Sequence, residues 1–470
     1  MRILSCLGFL VALVISSATY ADEPVPPGAA PSTAATTTDE PDAIGNMVAP
    51  SGQSAPTDAQ PIANIDSRMN VAAHALEMKE YADAESLLTG VVADVEHATS
   101  RYDPALIRPL TMLGDALNGE EKHKEALRSY EQARHIMRVA DGLHTPDQVE
   151  IVYREANALA AMGKIDKAND RQEYAYETLV RQYGAFGPGL IPGLYHLAAW
   201  YDRTSNIFAA RGLYERAIQI IGRTHGDADP EMIPALRALA ATYKEERFPP
   251  YQLPEDRLSA PPPMAGYDAL GQPTMIVNRF GPGEAALVEV VKITTADPKA
   301  KPLDVALAEL DLADWYLLFD KETRAIPVYV HTRQIMRERA GMTEEEIAQY
   351  FGQPTPLYRP IPESPPAPPE ALRVNPTQGH VELGYTVTEH GDVGDLKTLS
   401  SEPEGMMDIK VRRGMKIARF RPRFDGDNPV ATPNQVYRAT FTYYPHAEGA
   451  AANAKPATDD KATGTTQPAG

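Results

Sequence analysis

Cysteine is almost missing from this sequence: Cys6 is the single one in 470 residues. It stands ahead of the first apolar run, so a chain trimmed behind that run holds no thiol. Disulfide frameworks, thiol nucleophiles and cysteine metal sites are excluded together. Long apolar runs are missing too. The longest, near the amino terminus, reaches about 15 residues against the roughly 20 that a membrane-spanning helix needs. Positive charge is scarce, with 45 Lys and Arg against 64 Asp and Glu and a formal charge of -19. Such a balance argues against nucleic-acid binding, which wants a basic face. The eleven histidines show no paired zinc spacing, and no glycine-rich phosphate loop follows a strand. No cofactor, no metal and no catalytic residue is therefore expected, and the chain reads as a non-enzyme.

At this length two or more folded units are expected. Arg2, the apolar stretch Leu7 to Ile15 and the small residues Thr19 and Ala21 read as a secretory signal peptide over residues 1–21, with Asp22 as the mature start and the periplasm as destination. An uncleaved amino-terminal anchor is the alternative. Residues 22–63 are Pro, Ala, Thr, Ser, Gly and Asp with few large apolar groups, a composition that reads as a disordered linker.

One alanine then recurs at a fixed interval: Ala84, Ala126, Ala168 and Ala210 lie 42 residues apart in matching surroundings. In one copy Leu110, Leu113, Gly114 and Leu117 share a helical face, a turn holds Gly119, and Ala126, Tyr130 and Ala133 face the next helix. Gly114 and Ala126 permit close approach of two antiparallel helices, while Leu117 and Tyr130 fill the space between layers. The register continues through Leu236, Leu239, Ala240 and Tyr243, and again through Leu312, Ala313, Tyr316, Ala325 and Tyr329. Residues 64–340 are thus expected to form about six helix pairs in an all-α solenoid. Eight prolines between 249 and 283 mark an insertion at the turn of the fifth pair.

This small, large, small pattern resembles the tetratricopeptide repeat, and its long period resembles the kinesin light chain type. The likeness covers about 60% of the chain. Eight residues beyond the usual ~34 amount to about two helical turns, which predicts one added turn per helix. The resemblance implies a protein-binding groove on the inner side. The register places Arg108, Asp115, Asn118, Tyr153, Asn157, Tyr195, Asp202, Arg237 and Lys244 along it, a mixed charged and aromatic surface suited to an extended peptide or to ordinary solvation.

Residues 341–372 are Pro-rich and read as a polyproline-like linker. Beyond it the period changes to two. Val381, Leu383, Tyr385 and Val387 alternate with polar residues, His390-Gly391-Asp392 turns the chain, a helix fits 405–418, and strands fit 419–424 and 436–444. The order of Gly379-His-Val-Glu-Leu, Gly391-Asp-Val393, Arg419-Phe-Arg-Pro422 and the closing strand resembles the TonB C-terminal domain over residues 373–446. That likeness implies a small α+β domain that meets envelope partners by adding a strand at a sheet edge. Within it Lys410, Arg412, Arg413, Lys416, Arg419, Arg421 and Arg423 form a basic patch that suits an acidic partner or a merely solvated face. Residues 447–470 read as a disordered tail. The whole reads as a periplasmic scaffold or adaptor with one protein partner per module, and alternatively as an anchored energy transducer of the TonB family.

Overall fold

A computed structural model describes residues 60–250, 280–368 and 375–445. The signal peptide read at 1–21, most of the linker read at 22–63, most of the insertion and the tail read at 447–470 lie outside the described residues, while residues 60–63 of that linker are helical. Helices pair in order: α1 (Gln60–Glu77) with α2 (Tyr81–Ala98), α3 (Ile107–Gly119) with α4 (His123–Asp141), and α5 (Val149–Ala161) with α6 (Ile165–Tyr183). The series goes on with α7 (Ile191–Arg203) and α8 (Ile207–His225), α9 (Met232–Arg247) and α10 (Phe280–Ala296), then α11 (Pro302–Leu318) and α12 (Glu322–Gln334). The insertion therefore leaves and re-enters between two helices packed on each other. Among the described residues no helix is long and apolar enough to cross a membrane.

The hairpin is what repeats, down to its turns. Ala84, Ala126, Ala168 and Ala210 are fully buried where paired helices touch. Lys79, Glu121, Gly163 and Ser205 turn the chain inside each pair with positive φ, again 42 residues apart. Gly142, Gly184 and Gly226 close the second helices with positive φ, and Pro104, Pro146 and Pro188 open short 3-10 turns ahead of the next first helix. Gly119 is not the turning residue. It ends α3 where the Tyr81 ring lies against it, leaving no room for a Cβ. Nor is the extra length shared evenly: α3, α5 and α7 have 13 residues, while α4, α6 and α8 have 19. Part of the surplus in the first helices goes into the 3-10 turns.

The linker read at 341–372 is ordered through much of its length, which corrects the expectation of a free spacer. Thr343 and Glu346 form a capping box that starts α13 (Glu344–Phe351), and Ile347 and Phe351 are buried against the last helix pair. Next comes β1 (Thr355–Tyr358). The terminal elements follow: β2 (Thr377–Val387), β3 (Val393–Glu402), α14 (Asp408–Lys416), β4 (Arg419–Arg421), β5 (Arg423–Asp425), β6 (Asn428–Val430) and β7 (Thr432–Tyr443). An antiparallel sheet has the order β3-β2-β7. Val381, Leu383, Tyr385 and Val387 point to one face and pack with Val411 and Met415 of α14. The linker strand β1 pairs antiparallel with β4, Thr355 opposite Arg421. Apolar Leu357 and Tyr358 interrupt its prolines, and both pack against the core of the last helix pairs.

Candidate interaction groove and the docked terminal domain

The first helices of successive pairs touch one another, α1 with α3 and α3 with α5, and their side chains bridge from pair to pair. Arg154 on α5 donates from Nε to Asp115 on α3 at 3.0 Å. Tyr153 stacks on His196 of α7 with ring centroids 3.5 Å apart. Arg237 on α9 meets Asp311 on α11 at 2.9 Å. These contacts mark the inner side.

Crowding along it moves protons. Burial pushes the carboxyls of Asp202, Glu245 and Asp311 up, with the charge of Asp202 adding to the rise at Glu245, and pushes the Lys244 ammonium down. Asp311 keeps 44% of its side chain exposed all the same. Burial also lowers His196 and raises Tyr153 and Tyr195 to about 12.

Of the nine groove residues read from the register, the structure divides the roles. Arg108 and Asn157 are exposed, and Tyr195 is half-buried beside Tyr214. Asp115 and Asp202 are held inside their own pairs, accepting from the hydroxyls of Tyr130 at 2.8 Å and Tyr214 at 2.6 Å. Asn118 meets His123 at 2.7 Å. Tyr153, Arg237 and Lys244 lie on the inner wall together with His196, Glu245 and Asp311, which the sequence reading passed over. For two of them a signal was present, since His196 and Glu245 stand next to Tyr195 and Lys244; Asp311 lies beyond the insertion, where the register had selected no groove position.

The basic patch splits. Arg421 is 7% exposed and turned into the solenoid, donating to both carboxylate oxygens of Asp314 at 2.9 and 2.8 Å and to the Tyr350 carbonyl at 2.7 Å. Burial works against its charge, but Asp314 outweighs it and raises the guanidinium pKa. Asp314 also accepts from the Tyr329 hydroxyl at 2.7 Å. Arg419 binds Asp320 at 2.6 Å and pairs with Asp392, while His390 meets Glu322 at 2.7 Å. Phe424 wedges between Tyr329 and Phe351, 5.5 and 5.4 Å away. Arg419 and Arg421 therefore do not wait for an acidic partner, because the acids of the last helix pair already hold them. Arg423 is half-buried, and Lys410, Arg412, Arg413 and Lys416 remain on the exposed side of α14.

The pattern of this docking repeats one inside the solenoid. Asp115 takes Tyr130 from its own pair and Arg154 from the next one. Asp314 takes Tyr329 from its own pair and Arg421 from the terminal domain. At Asp314, Arg421 of the terminal domain thus takes the part that Arg154 of the next pair takes at Asp115.

One sheet edge is covered as well. The Arg359 guanidinium lies 4.3 Å above the Tyr437 ring, and the Thr442 amide donates to Ser364 Oγ at 3.3 Å. Residues 359–364 thus run beside β7, and Pro360 and Pro362 offer no N–H to extend the ladder. Among the described residues β3 carries no strand on its outer side.

No family model matches this chain. It is 34% identical to Protein TonB of Pseudomonas aeruginosa over 73 residues, 16% of this chain and 21% of that protein. The chain thus spans about a fifth of that relative's length. Among solved structures, kinesin light chain repeats of Podosopora anserina match at 21% identity and a TM-score of 0.35, covering 40% of this chain and 88% of that one. The protein pilF of Pseudomonas aeruginosa matches at 12% identity and a TM-score of 0.32, covering 62% and 99%. The helix-pair architecture stands on this chain's own contacts and needs none of these likenesses.

Proposed function

We propose that this chain is a non-enzymatic scaffold of the periplasm that holds two protein partners. The groove along α3, α5, α7, α9 and α11 takes an extended segment of one. The terminal domain engages a second, envelope-associated one. The supporting observation is the inner wall itself, where Tyr153, His196, Asp202, Lys244, Glu245 and Asp311 crowd one another along four consecutive first helices on an open surface. Partly desolvated groups in an open row suit a chain that lies across many repeats; a small substrate wants an enclosed cavity. Where the terminal domain pairs with a strand, the partner adds to β3, since β7 is covered. A photo-crosslinking residue at Asn157 in the groove is expected to capture a partner that one at Arg128, 73% exposed on α4, does not. Equal capture at both positions would remove the groove from the proposal.

The match to Protein TonB favours a second reading, an anchored energy transducer for outer-membrane transport. It requires the amino-terminal apolar stretch to stay in the membrane. The intact mass of the protein recovered from cells decides: a start at Asp22 excludes the transducer, and a retained Met1 supports it.

A further inference from the structure

The outward side of α14 combines two features that rarely share nine residues. Val411, Gly414 and Met415 face the sheet and are buried. The opposite arc carries Ile409, 66% exposed, and Arg412 and Lys416, with Ile417, 57% exposed, at its end. Met406, 44% exposed, extends the arc from the preceding turn. Helical spacing puts these residues on one side, 409, 412, 413 and 416 within about two turns. The neighbouring acid, Asp408, accepts from Ser401 Oγ at 2.6 Å. In a chain of net charge -19, this is a basic face with bulky aliphatic groups set among the cations.

We infer that this face docks on the surface of an anionic lipid bilayer. A soluble acidic peptide would satisfy the cations, but it needs a groove to cover three protruding aliphatic side chains, and α14 presents a convex surface. A bilayer interface accepts a convex amphipathic helix: the aliphatic groups enter the headgroup boundary and the cations stay among the lipid phosphates. The acidic remainder of the chain is repelled by the same surface, so attraction at α14 alone also sets orientation. Arg419 and Arg421, held by Asp320 and Asp314, keep the domain on the solenoid meanwhile. The inference does not depend on what occupies the groove.

Co-sedimentation of the full chain with vesicles of pure phosphatidylcholine, or with phosphatidylglycerol mixed in, tests it. Binding is expected to favour the anionic vesicles and to fall steeply with added salt. Arg412→Glu with Lys416→Glu is expected to cut the anionic preference about 25-fold or more, at about fivefold per cation removed. Ile409→Ser with Ile417→Ser, which keeps every charge, is expected to weaken binding to the same vesicles. Equal binding to both lipids would overturn the inference, as would binding that neither pair of substitutions changes. Loss on charge reversal with no effect of the serine pair, alongside equal binding to soluble polyglutamate, would assign the face to an acidic chain and overturn the lipid reading. Far-UV circular dichroism of both variants shows that a loss is not one of folding.

Discussion

A single tyrosine hydroxyl shows how this solenoid locks its layers. Tyr130 is 1% exposed and donates to Asp115, so the carboxylate is fixed before Arg154 of the next pair reaches it. Tyr130→Phe removes one such hydrogen bond while leaving the ring in place against Gly114, and about 1 kcal/mol of local stability is expected to go. Glu155 presents a harder case: fully buried, it is gripped by Arg134 at 2.6 Å and Arg171 at 2.7 Å. Burial pushes its carboxyl up and both guanidiniums pull it back. Glu155→Ala would strand those charges at the seam of α4, α5 and α6, at an expected cost of about 3–5 kcal/mol in the opening of those helices, read by hydrogen exchange. Neither network was visible in the sequence. Periodicity selects Asp115 as a groove residue, but only the fold shows that a tyrosine fifteen positions on has claimed it.

At the level of elements, the helix pairs were the most legible part, because their signal is the volume of one side chain. Only a small residue fits where two helix axes close in, and the alanines obey this in every copy. Turns were less legible. The left-handed position is glycine at Gly163 alone, while Lys79, Glu121 and Ser205 adopt the same φ sign with a Cβ in place. Replacing Glu121 by glycine relieves that strain, and a gain of about 0.5–1 kcal/mol in the stability of α3 and α4 is expected by denaturant titration. The linker was misread for a related reason. Proline density outweighed a capping box and the buried pair Ile347 and Phe351, although two such side chains suffice to seat a short helix on an existing core. In the terminal domain strict alternation along β2 made the sheet readable, but nothing in the pattern announced that β1 would pair with β4 across more than sixty residues.

For the whole molecule, the consequence is that solenoid and terminal domain form one surface. His390 contributes a pH-dependent part of the contact. Its bond to Glu322 raises its pKa in the folded state, so the stabilisation is fully present below about pH 6.5 and is lost as the pH rises through the folded value. The protection factor at the β2-β3 turn, in which the intrinsic pH dependence of amide exchange is divided out, is therefore expected to fall slightly from mildly acidic to mildly alkaline buffer, and His390→Ala to remove that dependence. The basic patch illustrates what sequence alone leaves open: seven cations close together suit an acidic partner or a solvated face, and Arg419 and Arg421 instead meet acids of the chain itself.

The seating of the terminal domain on the last helix pair rests on Asp314 and Arg421, and a double-mutant cycle on that pair tests it. Opening free energies of α11 and α12 would be measured by hydrogen exchange in the unaltered chain, Asp314→Ala, Arg421→Ala and the double variant. The coupling expected for a buried, bidentate pair is about 2 kcal/mol or more, with exchange quickened in both modules by either single change. Effects that add to within about 0.5 kcal/mol, or exchange in α11 and α12 that ignores Arg421→Ala, would contradict a docked cap.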